Sequence, residues 1–89
     1  MAIYITARHM VGGTKHEHIA EVKWENRADS KSGKSSRAEM VKWIEGGGDA
    51  RVAKGTSYVK VRLVDAIPKY IRTYADGIWT DNLLALPEY

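Results

Sequence analysis

Three histidines, His9, His16 and His18, lie around one glycine-bearing stretch, Gly12-Gly13. In an extended segment His16 and His18 project to one side, and a turn at the glycines would bring His9 towards them. Three imidazoles with an open fourth position form a zinc-type donor set. The plainer reading makes His18 a hydrogen-bonded residue at the edge of the core and leaves the other two exposed. Loop glycines preorganise such ligands poorly, so no resident metal or other cofactor is expected. A second polar set, Arg72, Asp76, Asp81 and Asn82, surrounds a turn near the end of the chain. Arg72 could clamp an anion through two parallel N–H donors. Asx residues at such places more often serve the backbone, with Asp76 making the turn, Asp81 or Asn82 capping the next one, and Arg72 paired to an acidic neighbour.

Basic and aromatic residues supply two further kinds of chemistry. Arg27, Lys31, Lys34 and Arg37 crowd one polar stretch. Tyr58, Lys60 and Arg62 alternate in another, followed by Tyr70, Arg72 and Tyr74. If Tyr58, Lys60 and Arg62 share an exposed sheet face, that face could hold phosphates and stack bases; otherwise they are solubilising residues on a solvated face. Trp79, just past a turn and close to Tyr74, is a candidate protein contact, because tryptophan is enriched where partners dock. The competing role for Trp79 is to cover the sheet beneath Leu83–Leu86. Nucleophilic catalysis has no support. The chain has no cysteine, no G-x-S-x-G, and serines at 35 and 36 that read as helix caps. Gly12-Gly13-Thr14-Lys15 lacks the first glycine of a phosphate loop, and no catalytic residue is expected.

These residues must be carried by one small domain. The chain has 89 residues, 44% hydrophobic and 28% charged, within the globular range. The absence of cysteine excludes disulfides and thiolate sites. No apolar run reaches the length of a membrane span, and MAIYITARHM has no basic leader, so a cytoplasmic monomer or small homo-oligomer is expected. The net charge of +3 is unevenly laid out: residues 27–37 carry +3, residues 51–72 carry +5, and residues 73–89 carry −3.

Period-two alternation predicts strands over Ala2–Arg8, His18–Glu25, Ala50–Ala53 and Tyr58–Val64, then a hairpin of Tyr70–Tyr74 and Ile78–Thr80 around Asp76-Gly77. Strand two should turn Ala20, Val22 and Trp24 inward and Ile19 outward. Residues 26–35, NRADSKSGKS, are polar enough to predict a mobile basic loop. Ser36-Arg37-Ala38-Glu39 is a capping box, Met40, Val41, Trp43 and Ile44 give an apolar stripe, and Gly46-Gly47-Gly48 stops the helix. The fold class is therefore α+β: a single domain, mostly antiparallel sheet, with one helix on one face, in the order β-β-α-β-β-β-β. Its core should hold Ile3, Ile5, Ala20, Val22, Trp24, Val41, Ile44, Val59, Val61, Leu63, Ile71, Leu83 and Leu86, with Trp24 and Trp43 packed together inside.

Three stretches, IYITA…GG…HEHIAEVKW, SRAEMVKWIEGGG and PKYIRTYADGIWTDNLLALP, carry a resemblance over nearly the whole chain. It resembles an uncharacterised family of small bacterial and phage-associated proteins known only as a domain of unknown function. The resemblance implies a bacterial or phage origin, a free-standing domain and a cytoplasmic setting, and assigns no residue a catalytic role. A small non-catalytic accessory or binding domain is the expectation. Protein interaction through Trp79 and Tyr74 leads, with an unknown protein partner. Nucleic-acid binding through the basic loop and strand face is the alternative, and a metal-dependent enzyme built on His9, His16 and His18 is a distant third.

Overall fold

The computed structural model describes residues 2–89. Seven strands, β1 (Ala2–Met10), β2 (Ile19–Asn26), β3 (Lys31–Ser36), β4 (Asp49–Lys54), β5 (Ser57–Val64), β6 (Tyr70–Ala75) and β7 (Ile78–Thr80), form one sheet. Its order is β3-β2-β1-β4-β5-β6-β7. Every neighbouring pair is antiparallel except β1 and β4, whose parallel pairing is made possible by the intervening excursion through β2, β3 and the helix α1 (Arg37–Glu45). The α+β architecture follows from the alternation, and the helix packs over one face against β2, β3, β5 and β6.

The segment expected to be a loop over 26–35 is a tight turn followed by a strand. Asn26 Oδ1 accepts from the Ala28 amide and Asp29 Oδ1 from the Lys31 amide, each at 3.0 Å, and Ser30 takes a φ of 60°. These side chains reverse the backbone. Lys31–Ser36 then pairs with β2 from Asn26↔Lys31 to Glu21↔Ser36. Lysine, serine and glycine have little strand propensity of their own; the edge of β2, which would otherwise expose its amides, imposes the conformation. The order is thus β-β-β-α-β-β-β-β, one strand more than expected.

The helix starts where the capping box sets it. Ser36 Oγ accepts from the Glu39 amide at 3.2 Å, and the Ser36 amide donates to Glu39 at 2.9 Å. Its phase differs from the expectation. Met40 is buried and Val41 and Ile44 pack on the core, whereas Trp43 is 36% exposed. At about 100° per residue, Val41 and Ile44 fall to one side of Met40 and Trp43 to the other, so Trp43 flanks the stripe.

The core lies between the sheet and this cover: Ile3, Ile5, Ile19, Val22, Met40, Ala50, Val52, Val61, Ile71 and Leu83, with Val59 also buried. Each large aliphatic member contributes roughly 1.5–3 kcal/mol on burial. Ala20 and Trp24 are only half-buried, while Ile19, expected outside, has no exposed surface. The β1–β2 ladder slips between Ile5 and Ala7 and again between His9 and Met10, and the second irregularity turns Ile19 into the core. Beyond β4, the free edge of β1 is taken by the chain's last residues: the Arg8 amide donates to the Pro87 carbonyl and the Tyr89 amide to the Arg8 carbonyl, both at 2.9 Å. The stretch from Asp81 to Leu86 crosses between β7 and this edge and buries Leu83 completely.

Candidate functional site

Alternation along each strand sends one set of side chains to the helix and the other to the opposite face. Register partners share a face. One row can be followed from strand to strand across the whole sheet: Ser32, Glu25, Tyr4, Arg51, Lys60, Tyr74 and Trp79. From Tyr4 to Trp79 this row spans four strand intervals, roughly 19 Å. Arg62 faces Arg72 one step along, and Tyr58 lies one step the other way.

The side chains on this face are ordered among themselves. Arg27 stacks over Tyr4 at 3.8 Å, Arg51 over Tyr58 at 4.0 Å and Arg62 over Tyr74 at 5.3 Å from the ring centre. Tyr4 meets Tyr58 edge-on at 6.4 Å, and Tyr74 meets Trp79 edge-on at 4.9 Å. Such contacts fix ring orientation and contribute about 0.5–1.5 kcal/mol each. Arg51 is clamped further by two bonds to Asp49, at 3.1 and 2.8 Å, which hold the Asp49 carboxyl below its usual range. Tyr58 and Trp79 are nonetheless 40% and 39% exposed. Among the described residues Lys60 and Arg62 form no ion pair within 4.0 Å. The face gathers Lys23, Arg27, Lys34, Arg51, Lys60, Arg62 and Arg72 against Glu21, Glu25, Asp49 and the Asp81 paired with Arg72, an excess of positive charge.

The two sets of candidates thus meet on one surface. Tyr74 and Trp79, expected as a protein contact, share the row with Lys60, and Tyr58 and Arg62 flank it. The basic stretch does not travel as a unit. Arg27 and Lys34 reach the open face, Lys34 beside Lys23. Lys31 pairs with Asn26 on the helix side, and Arg37 donates to the Glu17 carbonyl. Arg72 takes the structural role: its Nε donates to the Thr80 carbonyl at 3.2 Å and its guanidinium to Asp81 at 3.0 Å. Asp76 and Gly77, with φ of 51° and 79°, make the hairpin turn. Tyr4 and Arg51, missed in the sequence, were signalled by their strand periodicity; what hid them was that β1 and β4 become neighbours only through a long-range parallel pairing.

The histidines do not converge. The His9 ring packs on Tyr89 at 5.5 Å, and its Nδ1 donates to a Tyr89 main-chain oxygen. His18 accepts from the Lys15 amide at 3.3 Å and lies so close to Gly13 that a Cβ there would meet the ring at 2.5 Å. His16 is buried, 8% exposed, contrary to the expectation that it would be an exposed loop residue. Its Nε2 stands 3.8 Å from Asp81 and has no hydrogen-bond partner. Burial, followed by the Arg72 charge, lowers its pKa, which favours the neutral imidazole. No cluster of three or more ligating side chains occurs among the described residues.

A half-open sheet covered on one side by a helix, with an ordered aromatic and basic row on the other, defines a small α+β domain with one dressed face. The chain belongs to the family described as "Protein of unknown function (DUF3892)", whose model matches residues 4–87. Neither a curated protein nor a solved structure matches it. Among the described residues no helix is long and apolar enough to cross a membrane.

Proposed function

We propose that the protein is a non-catalytic binding domain, acting in the cytoplasm as a monomer or small homo-oligomer, that holds a single-stranded nucleic acid on its open sheet face. The observation that carries this reading is the row Tyr4–Arg51–Lys60–Tyr74–Trp79, flanked by Tyr58 and Arg62. A flexible strand of phosphates and bases needs cations at intervals and flat rings between them, and base stacking on an exposed ring contributes about 1–3 kcal/mol. Duplex recognition fits less well: the face has no protruding helix to enter a groove. Enzymatic activity has no supporting constellation: Arg72 pairs with Asp81, Asp76 makes the hairpin turn, and the histidines do not converge.

The test is a titration of a fluorescent single-stranded oligonucleotide at several salt concentrations, read by anisotropy. Three phosphate contacts, from Lys60, Arg62 and Arg27, give a slope of about −2 in the logarithmic salt plot, so affinity should fall roughly 20-fold between 50 and 200 mM salt. Tyr58→Ala or Trp79→Ala should weaken binding without unfolding the protein. Binding that is absent at low salt, or indifferent to salt, contradicts the reading.

A second reading rests on the edge-on Tyr74–Trp79 pair bridging β6 and the last strand, β7, where Trp79 stays exposed in spite of its size. Such a ring is suited to anchor a protein partner. A partner retained at high salt and lost on Trp79→Ala would favour it over nucleic acid.

A further inference from the structure

Where the sheet meets α1, on the side opposite the open face, lies a groove of about 440 Å³. Ile3, Met40 and the rings of Trp24 and Trp43 line it, and Asp29, Glu39 and Lys31 stand around it. Both indoles are seated on glycine backbone. A Cβ at Gly33 would lie 2.7 Å from the Trp24 ring, and one at Gly48 would lie 2.2 Å from the Trp43 ring. Neither space admits a side chain, so the two glycines let each ring lie flat against the main chain. Trp24 is fixed further by its Nε1, which donates to Ser35 Oγ at 3.0 Å. The groove is therefore built before any ligand arrives, which lowers the ordering cost of binding.

Its chemistry differs from that of the rest of the surface. Every cation stacked on a ring among the described residues sits on a tyrosine: Lys23 and Lys34 on Tyr89, Arg27 on Tyr4, Arg51 on Tyr58, and Arg62 on Tyr74. Tryptophan is the better acceptor of such a cation. Yet neither groove tryptophan holds one, although Lys31 stands beside them. Two carboxylates face one ammonium there, the reverse of the balance on the open face, so phosphate is disfavoured. Glu39 is held in its charged form chiefly by the Ser36 amide, which donates to its carboxylate at 2.9 Å.

We propose that this groove is a binding site for an arginine side chain of a partner polypeptide. The aliphatic stem lies along Ile3 and Met40, and the guanidinium rests on an indole within reach of Asp29 or Glu39. An arginine meets all three demands at once: an apolar stem, a flat cation that stacks on a ring, and donors for a carboxylate. The site is separate from the open face and stands whether or not that face binds nucleic acid.

The test uses the whole protein and its three tryptophan indole N–H signals in a nitrogen-labelled sample, assigned with single Trp→Phe variants. The probe is a capped pentapeptide with arginine at its centre between alanine and glycine. The comparators are the same peptide with citrulline, the same peptide with glutamate, and free arginine amide. The expected result is a saturable shift of the Trp24 and Trp43 signals, with Trp79 unmoved, for the arginine peptide and not for citrulline or glutamate. Glu39→Gln and Asp29→Asn preserve the cap and the turn, and each should weaken binding about two- to fivefold. Trp43→Leu should weaken it roughly 5–30-fold. Equal binding of the citrulline peptide, no saturable shift, or a shift confined to Trp79 overturns the proposal. Free arginine amide binding as tightly as the peptide would overturn the polypeptide partner.

Discussion

The two faces of this sheet place their large aromatic residues by opposite means. On the open face each tyrosine or tryptophan is steadied by a neighbouring side chain: Arg27 on Tyr4, Arg51 on Tyr58, Tyr74 against Trp79. On the covered side Trp24 and Trp43 rest where side chains are absent, at Gly33 and Gly48, with one added bond from Trp24 to Ser35. A ring held by a stacked side-chain cation can exchange that cation for another partner at a cost of about 0.5–1 kcal/mol. A ring lying on bare backbone is fixed, and the groove it walls exists as built. Exposed aromatics therefore need not share a purpose: one face is adaptable and cationic, the other rigid and faintly acidic.

The largest expected difference between the faces is in stability. Ile71→Ala, at a fully buried position on β6, should cost about 2–5 kcal/mol in urea unfolding. Tyr74→Ala, three residues on but facing outward, should cost far less. Equal losses would break the distinction between the faces. Next, Gly48→Ala should cost roughly 1–3 kcal/mol, because the new methyl meets the Trp43 ring. Most of that loss should vanish in the Trp43→Ala background, a coupling that a double-mutant cycle measures. If the two losses simply add, the ring does not rest on that glycine.

A pH effect should follow, and it belongs to neither face but to the short 3-10 turn His16–His18 that joins β1 to β2. His16 has a folded-state pKa below its ordinary 6.5, mainly through burial. The unfolded chain therefore binds more protons as the solution acidifies. Stability should be full above pH 6.5 and decline as the pH falls from there towards the lowered folded-state value. Urea midpoints at pH 7.5 and 5.5 measure this, and His16→Gln should flatten the difference. A midpoint that rises on acidification would contradict the buried neutral imidazole. The smallest effect on stability is expected for Lys60→Gln with Arg62→Gln, within about 0.5 kcal/mol of the parent. The same pair should impair oligonucleotide binding the most.

Much of the fold was legible because local chemistry and global placement agree. The capping box at Ser36 and Glu39, the glycine stop, the Asp76-Gly77 turn and the alternation of Tyr58–Val64 all lie where local rules put them. The misreadings cluster where tertiary context decides. Lys31–Ser36 is a strand because β2 needs a neighbour, which no residue in KSGKSS announces. Ile19 is buried because the β1–β2 ladder slips, and a slip of one residue changes the face. Trp43 is outside the core because a nine-residue helix presents only a narrow stripe. For the candidate site, Tyr58, Lys60 and Arg62 could be read from period two alone. Their continuity with Tyr4, Arg51, Tyr74 and Trp79 required the strand order. Gly33 and Gly48 carried the one local hint of the groove, but they read as turn and stop residues.

Binding of a single-stranded nucleic acid to the open face is a proposal. It is tested most directly by titrating an unlabelled oligonucleotide into nitrogen-labelled protein at low salt and following the three indole signals. The expected result is a saturable shift of Trp79 that weakens as salt is raised, with Trp24 and Trp43 unmoved. A shift at Trp24 and Trp43 with Trp79 silent, or no shift at any signal, would contradict it.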